Sequence, residues 1–170
     1  MLDRLPEYIE PLSFADKRGE VKGKIALSKL TRLSEILADN SGEVTAELFF
    51  YRDGKLAVVE GRVNTNLHII CQNCLQPMEW VVDRSVKLGI VSSLEQADRL
   101  PEDIDPLMMS DSKILLNDII EDELLLAIPD FPKHEWQCYS QPVNSDIQSD
   151  SSENKQLDSN NPFSILAKLK

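Results

Sequence analysis

The sequence lacks any apolar run that approaches the roughly 18 to 20 residues a membrane-spanning helix needs. Its longest apolar stretches, at 124–129 and 67–71, have the length of core segments. The N-terminus carries acidic residues where a secretion signal has a basic start and an apolar stretch. These features predict a cytoplasmic protein without a membrane partner.

Glycine and histidine are also scarce, and each scarcity argues against a class of enzyme. The six glycines form no phosphate-binding loop of the G-x-x-x-x-G-K type. Two histidines leave little capacity for general-base catalysis, and no serine nucleophile elbow is present. The sequence therefore predicts a protein that is not an enzyme and has no small-molecule substrate.

Negative charge is concentrated in the middle of this acidic chain, whose net charge is −11. Residues 71–138 carry five basic and fourteen acidic side chains, whereas 1–70 and 139–170 are each close to balanced. Such an excess repels phosphate backbones, so RNA binding would need a local basic patch. Alternatively, basic residues of this kind form a solvated charged surface that has no role in RNA binding. The candidate RNA-contact residues are Lys17, Arg18, Lys22 and Lys24.

Alternation of apolar and polar residues is the strongest structural pattern, and it predicts an antiparallel sheet. The dipeptide Asp53-Gly54 predicts a tight turn between two long strands. Gly61 suggests a β-bulge within the second of them. Residues 1–20 show no clear period and are expected to form an extended or irregular lead-in. The predicted strands cover residues 21–27, 44–50, 56–69, 80–91 and 107–109.

Helical spacing predicts two helices that flank this sheet, over 28–38 and 116–127. Ser28 is the expected N-cap of the first helix, and Pro129 ends the second. Acidic residues lie in the front half of the second helix, where the helix dipole favours negative charge. Packing on the sheet explains this helix better than a catalytic carboxylate pair. The predicted fold is one α+β domain over residues 1–140.

The composition changes sharply after this domain. Residues 141–160 are rich in Ser, Asn, Asp and Gln, which predicts a disordered linker. Residues 161–170 then form a short amphipathic segment that begins at Asn161-Pro162, a helix-start pattern. Phe163, Leu166 and Leu169 are candidate residues for docking on a protein partner. Folding back onto the parent domain is the alternative, and the sequence does not choose between them.

Three cysteines and one histidine have the spacing of a structural zinc site. Cys71 and Cys74 form a C-x2-C pair, and His134 and Cys138 form a second pair with three residues between them. Four protein ligands would leave no coordination position open for catalysis. Two alternatives remain: unligated thiols in a reducing cytosol, and a thiol-redox pair, which prefers a helix N-terminus. His68 stands alone in a strand and is expected to be a surface or partly buried residue.

The order of these motifs resembles the YceD family of large ribosomal RNA subunit accumulation proteins. The resemblance covers the chain from end to end and implies a non-enzymatic ribosome-biogenesis factor that supports synthesis, processing or stability of the large-subunit ribosomal RNA. It also implies a partner, either that RNA or a ribosomal protein of the assembling large subunit. A zinc-stabilised protein-binding adaptor and a thiol-redox protein are the alternatives. The matching stretches are ADKR at 15–18 with Gly23, LAVVEG at 56–61, CQNCLQP at 71–77, IEDELLLAIP at 120–129, His134 with Cys138, and NPFSILAKLK at 161–170.

Overall fold

The structure is a computed structural model that describes residues 3–138. These residues form a mixed α+β fold, and none of its helices has the length and apolarity needed to cross a membrane. The linker predicted at 141–160 and the terminal segment at 161–170 lie outside the described residues. The strands are β1 (Asp3–Arg4), β2 (Tyr8–Ile9), β3 (Glu20–Ala26), β4 (Leu37–Asp39), β5 (Glu43–Asp53), β6 (Leu56–Ile70), β7 (Pro77–Val91), β8 (Asp105–Met108) and β9 (Ile114–Leu115). The α-helices are α1 (Pro11–Asp16), α2 (Thr31–Ser34), α3 (Leu94–Ala97) and α4 (Leu116–Ala127), and a 3-10 turn covers Leu27–Lys29.

The three long strands predicted from alternation form the centre of the main sheet. β5 pairs antiparallel with β6, and β6 pairs antiparallel with β7. In the turn between β5 and β6, Gly54 has a φ of 58°, a conformation that glycine adopts without steric cost. Ala46, Leu48 and Phe50 of β5 are buried on the inner face, as the period of two requires.

The sheet is mixed, so the prediction of a purely antiparallel sheet is wrong. Its strand order is β1-β3-β5-β6-β7-β8, with β4 on β6, and a separate small sheet joins β2 to β9. β1 runs parallel to β3, and β8 runs parallel to β7. Parallel neighbours need long connections, such as residues 92–104 between β7 and β8, and local alternation does not reveal them. Within the lead-in expected to be extended or irregular, β1 and β2 are extended, whereas the helix α1 was not predicted.

The helix predicted over 28–38 is also wrong, because this segment divides among three short elements. It contains the 3-10 turn, the four-residue α2 and β4, and α2 begins after Leu30 rather than at Ser28. Leu30 and Leu33 are fully buried. The leucines recur at helical spacing because successive short elements each send a side chain into the core, which imitates one continuous helix.

The predicted β-bulge at Gly61 is absent from β6. Pairing continues through this residue without a register shift, with Leu48 on one side and Val86 on the other. A Cβ atom at position 61 would collide with the carbonyl oxygen of Glu47. Gly61 is therefore required by the close approach of two strand backbones rather than by a bulge.

Helix α4 has the bounds predicted for it and packs on the inner face of the sheet. Leu116, Ile119, Ile120 and Leu124 of this helix are at most 1% exposed. The indole Nε1 of Trp80 on β7 donates a hydrogen bond of 3.2 Å to the carbonyl oxygen of Ala127. This contact fixes the end of α4 beside β7, so residues 128–138 leave the helix close to the sheet.

Candidate metal centre

The first cysteine pair lies in the turn between β6 and β7. The N–H of Cys71 donates to the carbonyl oxygen of Gln76 at 3.0 Å, and the N–H of Leu75 donates to the carbonyl oxygen of Cys71 at 2.9 Å. Leu75 has a φ of 60°, which closes the turn through the left-handed region. Since the turn is this tight, Cys71 and Cys74 lie within one ligand cluster.

The second ligand pair reaches this turn from the segment that follows α4. The N–H of Gln72 donates a hydrogen bond of 2.8 Å to the carbonyl oxygen of Pro132. This bond holds residues near Pro132 against the turn, and His134 and Cys138 follow within six positions. Pairs that are 60 residues apart in the sequence therefore meet in the fold.

The four candidate ligands form one cluster whose donor atoms all lie within 4.8 Å of one another. The Sγ atoms of Cys71 and Cys138 are 3.7 Å apart. The Sγ of Cys74 lies 3.4 Å from Nδ1 of His134. A tetrahedral zinc ion, with Zn–S of about 2.3 Å and Zn–N of about 2.0–2.1 Å, separates two sulfurs by about 3.8 Å and a sulfur from a nitrogen by about 3.5 Å. The donor set and its spacing fit zinc, which would be held by three sulfurs and one imidazole.

Hydrogen-bond donors around the cluster favour a thiolate at Cys71. Burial raises the pKa of the Cys71 thiol, but the backbone N–H groups of Cys74, Asn73 and His134 outweigh it and lower the pKa to about 6. Burial raises the pKa of the Cys74 thiol above its usual value. The side-chain amide of Asn73 donates to Sγ of Cys138 at 3.4 Å. Such outer hydrogen bonds orient sulfur ligands and stabilise their charge.

This arrangement favours a structural metal site over the two alternatives. Cys71 directly follows β6 and does not begin a helix, unlike the first cysteine of a thioredoxin-like C-x2-C pair, and the N–H groups that lower its pKa belong to the turn and to His134. Independent free thiols give no reason for four metal-binding side chains to converge. With four protein donors, a bound ion would have no open position, and it would join the β6–β7 turn to the segment after α4.

The candidate RNA-contact residues separate into two pairs. Lys22 and Lys24 lie on the exposed face of β3, where they form ion pairs with Glu47 at 2.5 Å and Glu43 at 3.1 Å. Lys17 and Arg18 are exposed after α1, and neither has an ion-pair partner among residues 3–138. Their contact with RNA stays a prediction. The candidate docking residues Phe163, Leu166 and Leu169 lie outside the described residues.

Two buried acids of α4 were not predicted from the sequence. Glu121 and Glu123 are each 4% exposed. Glu121 accepts a hydrogen bond from Nε of Arg32 at 3.0 Å, and Glu123 accepts one from Nε of Arg84 at 2.6 Å. The available signal was their position within the helix between the apolar residues Ile120 and Leu124. Both acids tie α4 to neighbouring elements, which is a structural role.

The lone histidine in β6 lies between two carboxylates. His68 is partly exposed, as expected, with its Nδ1 3.8 Å from Asp39 and its Nε2 3.9 Å from Glu79. These distances exceed hydrogen-bonding range, and Nδ1 has no hydrogen-bond partner among residues 3–138. His68 precedes Cys71 by three residues in the sequence, but it does not belong to the four clustered ligands.

Comparisons with known proteins agree with the resemblance seen in the sequence. A family model described as "Large ribosomal RNA subunit accumulation protein YceD" matches residues 59–170. A Haemophilus influenzae protein with that same name is 30% identical to this chain over 169 residues, which cover 98% of this chain and 97% of that protein. No solved structure matches the chain. Because the similarity extends over nearly the whole length of both chains, this chain belongs to the YceD family of large ribosomal RNA subunit accumulation proteins.

Proposed function

We propose that this protein is a non-enzymatic ribosome-biogenesis factor that supports synthesis, processing or stability of the large-subunit ribosomal RNA. One observation carries the proposal: the near-full-length similarity to a protein named for accumulation of that RNA. The match covers 98% of this chain, so the residues of the described domain fall almost entirely within the matched length. The factor acts in the cytoplasm, on the assembling large subunit.

Binding, rather than chemistry, is the mechanism that the site supports. Cys71, Cys74, His134 and Cys138 would occupy all four positions of a tetrahedral zinc ion and leave none for substrate or activated water. A zinc ion held in this way is structural, because it fixes residues 128–138 against the β6–β7 turn. The surface around that turn would then be held in one conformation, ready to bind a partner.

The charge distribution favours a basic protein as one of the partners. Residues 71–138 carry fourteen acidic against five basic side chains. Ribosomal proteins are strongly basic and bind the same RNA that this acidic surface repels. A factor that holds such a protein during assembly would support accumulation of the large subunit and its RNA. The exposed Lys17 and Arg18 are the candidates for any direct RNA contact.

The test is a comparison of ribosomal particles from cells with and without this protein on a sucrose gradient. Loss of the protein should lower the ratio of large-subunit to small-subunit RNA, and the protein itself should travel with immature large particles. Restoring the wild-type chain should correct the ratio. An unchanged profile, with the protein at the top of the gradient, would contradict the proposal.

A further inference from the structure

Strand β7 has a long edge that is unpaired within residues 3–138. On one side β6 pairs with it from Pro77 to Ile90, but on the other side β8 pairs only with Leu88–Val91. The stretch from Pro77 to Lys87 therefore has a strand on one side only. At about 3.3 Å per residue, these eleven residues extend over roughly 35 Å. An open edge of this length presents a row of backbone donors and acceptors to another strand.

A groove follows this edge, with α4 as its second wall. One cavity of about 300 Å³ is lined by Leu88 of β7, residues 105–107 of β8 and side chains of α4 from Ile119 to Leu126. A second, shallower cavity of about 460 Å³ is lined by residues 80–85 of β7 and by Leu126 and Ala127. Leu126 lines both cavities, so they are adjacent, and together they are called the groove.

Two large apolar side chains are exposed at this groove. Leu126 is 68% exposed and Val81 is 74% exposed. Leu126 comes from the last turn of α4, whereas Val81 comes from the open part of β7. Exposed apolar side chains beside unpaired backbone groups are typical of a surface that a partner covers.

The lining of the groove is acidic. It contains Asp83, Asp105, Asp122 and Glu123, whereas Arg84 is its single cation. Arg84 is neutralised by Glu123 at 2.6 Å, and Asp105 has no ion-pair partner among residues 3–138. Asp83 and Asp122 each contact an arginine that does not line the groove. This lining repels a phosphate backbone and suits a basic ligand.

We propose that the groove binds an extended, lysine- or arginine-rich segment of a ribosomal protein, which adds to the open edge of β7 as a further strand. This inference rests on the proposed function and specifies its partner. Backbone hydrogen bonds to β7 supply the affinity, an apolar side chain packs against Leu126, and basic side chains face Asp105 and its neighbours. A second copy of this chain is a poorer occupant, because two acidic linings would then face each other.

The binding test uses the full chain and a labelled twelve-residue peptide in which lysine and valine alternate. Its affinity is measured by fluorescence anisotropy, and hydrogen exchange is followed at the amides of 79–86. The peptide should bind and slow exchange along this edge. Replacing its lysines by glutamate, or methylating alternate backbone nitrogens, should abolish binding. Equal binding of the methylated peptide would overturn strand addition, since charge attraction alone would then explain the affinity.

A pair of matched variants tests the groove itself. L126S should weaken the peptide about tenfold because an apolar contact is lost. L94S changes a residue that is 73% exposed outside the groove, and it should leave affinity unchanged. Equal affinity of L126S and wild type, with both folded by circular dichroism, would place the peptide elsewhere and overturn the proposal.

The identity of the occupant is tested by competition. Purified large-subunit ribosomal proteins are added singly to the labelled complex, and at least one should displace the peptide. If none does, the ribosomal assignment is wrong.

A concentration-dependent dimer that protects the amides of 79–86 from exchange without peptide would assign the groove to a second copy. If F163S raised peptide affinity, the occupant would be the chain's own terminal segment. The peptide assay contains no ribosomes, so its failure would contradict the groove proposal without affecting the gradient result. A negative gradient would contradict the proposed function without affecting the measured peptide affinity.

Discussion

The carboxylate of Glu121 accepts a hydrogen bond of 2.9 Å from the backbone N–H of Leu33, 88 residues earlier in the chain. Leu33 lies in the first turn of α2, a four-residue helix whose own N-cap residue supplies no side-chain hydrogen bond. The second carboxylate oxygen of Glu121 accepts from Nε of Arg32 at 3.0 Å. Helix α4 therefore supplies the cap that α2 lacks, and it does so from inside the core.

Removing this cap should lower the stability of the whole domain. In E121A the buried N–H of Leu33 loses its acceptor, and an unsatisfied buried donor costs about 1–3 kcal/mol. The free energy of unfolding, measured by urea titration, should fall by that amount. D122N is the control, because Asp122 is 54% exposed and its ion pair with Arg32 contributes about 1 kcal/mol or less. Equal effects of the two substitutions would show that Glu121 does not act as a cap.

Local periodicity was sufficient to predict β5, β6, β7 and α4. Each of these elements buries one face over most of its length, as β5 does from Val44 to Phe50, so the hydrophobic pattern shows its period. The convergence of the Cys/His residues was predictable for a similar reason, because ligand spacing follows from the geometry of the ion. The strands and the helix required no knowledge of distant residues, whereas the two ligand pairs are 60 residues apart and their meeting depends on the fold that the spacing alone does not give.

The elements that sequence reasoning missed depend on distant partners. Residues 28–38 are divided among short elements because β4 pairs with β6 and α2 is capped by Glu121. The parallel pairing of β8 with β7 is set by a crossover rather than by the four residues of β8. Burial of Glu123 likewise needs Arg84. No local window of the sequence contains both members of any of these pairs.

Metal analysis should find about one zinc ion per chain in protein purified without chelator, since three thiolates and an imidazole form a complete ligand set. C74S removes one sulfur and should lose the ion, as measured by elemental analysis. A chelator should lower the melting temperature of wild-type protein more than that of C74S, since the variant has no metal left to lose.

The control for this experiment is H68Q, which changes the one histidine outside the cluster. His68 lies in β6 and does not belong to the group of ligand atoms within 4.8 Å. H68Q should keep its zinc. If wild-type protein contained no metal and its melting temperature did not respond to chelator or added zinc, the four residues would be unligated side chains.

Leu75 occupies a conformation that suits glycine better than leucine. Its φ is 60°, and the left-handed region costs a residue with a Cβ about 1–2 kcal/mol. The side chain is 69% exposed, so little packing is lost on its removal. L75G should raise the free energy of unfolding by up to about 1 kcal/mol in the presence of zinc, after the entropy cost of glycine is subtracted. L94G, in the short helix α3, should lower it instead. A loss of stability in L75G would contradict the assignment of strain to this turn.

Gly61 and Gly54 are both required for backbone reasons, but of different kinds. At Gly61 an added Cβ meets the backbone of Glu47 and Leu48, which cannot move without separating β5 from β6. At Gly54 nothing lies within 4 Å, and the cost comes from its φ of +58° alone. In urea titrations, we expect the free energy of unfolding to fall by about 3 kcal/mol or more in G61A and by about 1–2 kcal/mol in G54A. A smaller loss for G61A than for G54A would mean that the strands separate easily.

Charge reversal at Lys17 and Arg18 tests whether the protein contacts RNA directly. Both side chains are exposed and have no ion-pair partner among residues 3–138, unlike Lys22 and Lys24. If they contact phosphates, K17E combined with R18E should weaken association with large ribosomal particles. The dependence of that association on salt should fall by about one to two counterions, the number expected for two phosphate contacts.

A matched control separates this contact from a general effect of charge. K55E combined with R99E also converts one exposed lysine and one exposed arginine to glutamate, but outside the basic stretch that contains Lys17 and Arg18. Both double variants make the net charge more negative by four, so both weaken long-range attraction to RNA equally. Only the first should change the salt dependence, since counterions are released where phosphates are neutralised by direct contact. Identical salt dependence in wild type and both variants would exclude Lys17 and Arg18 as RNA contacts and leave binding to a basic protein as the route to the ribosome.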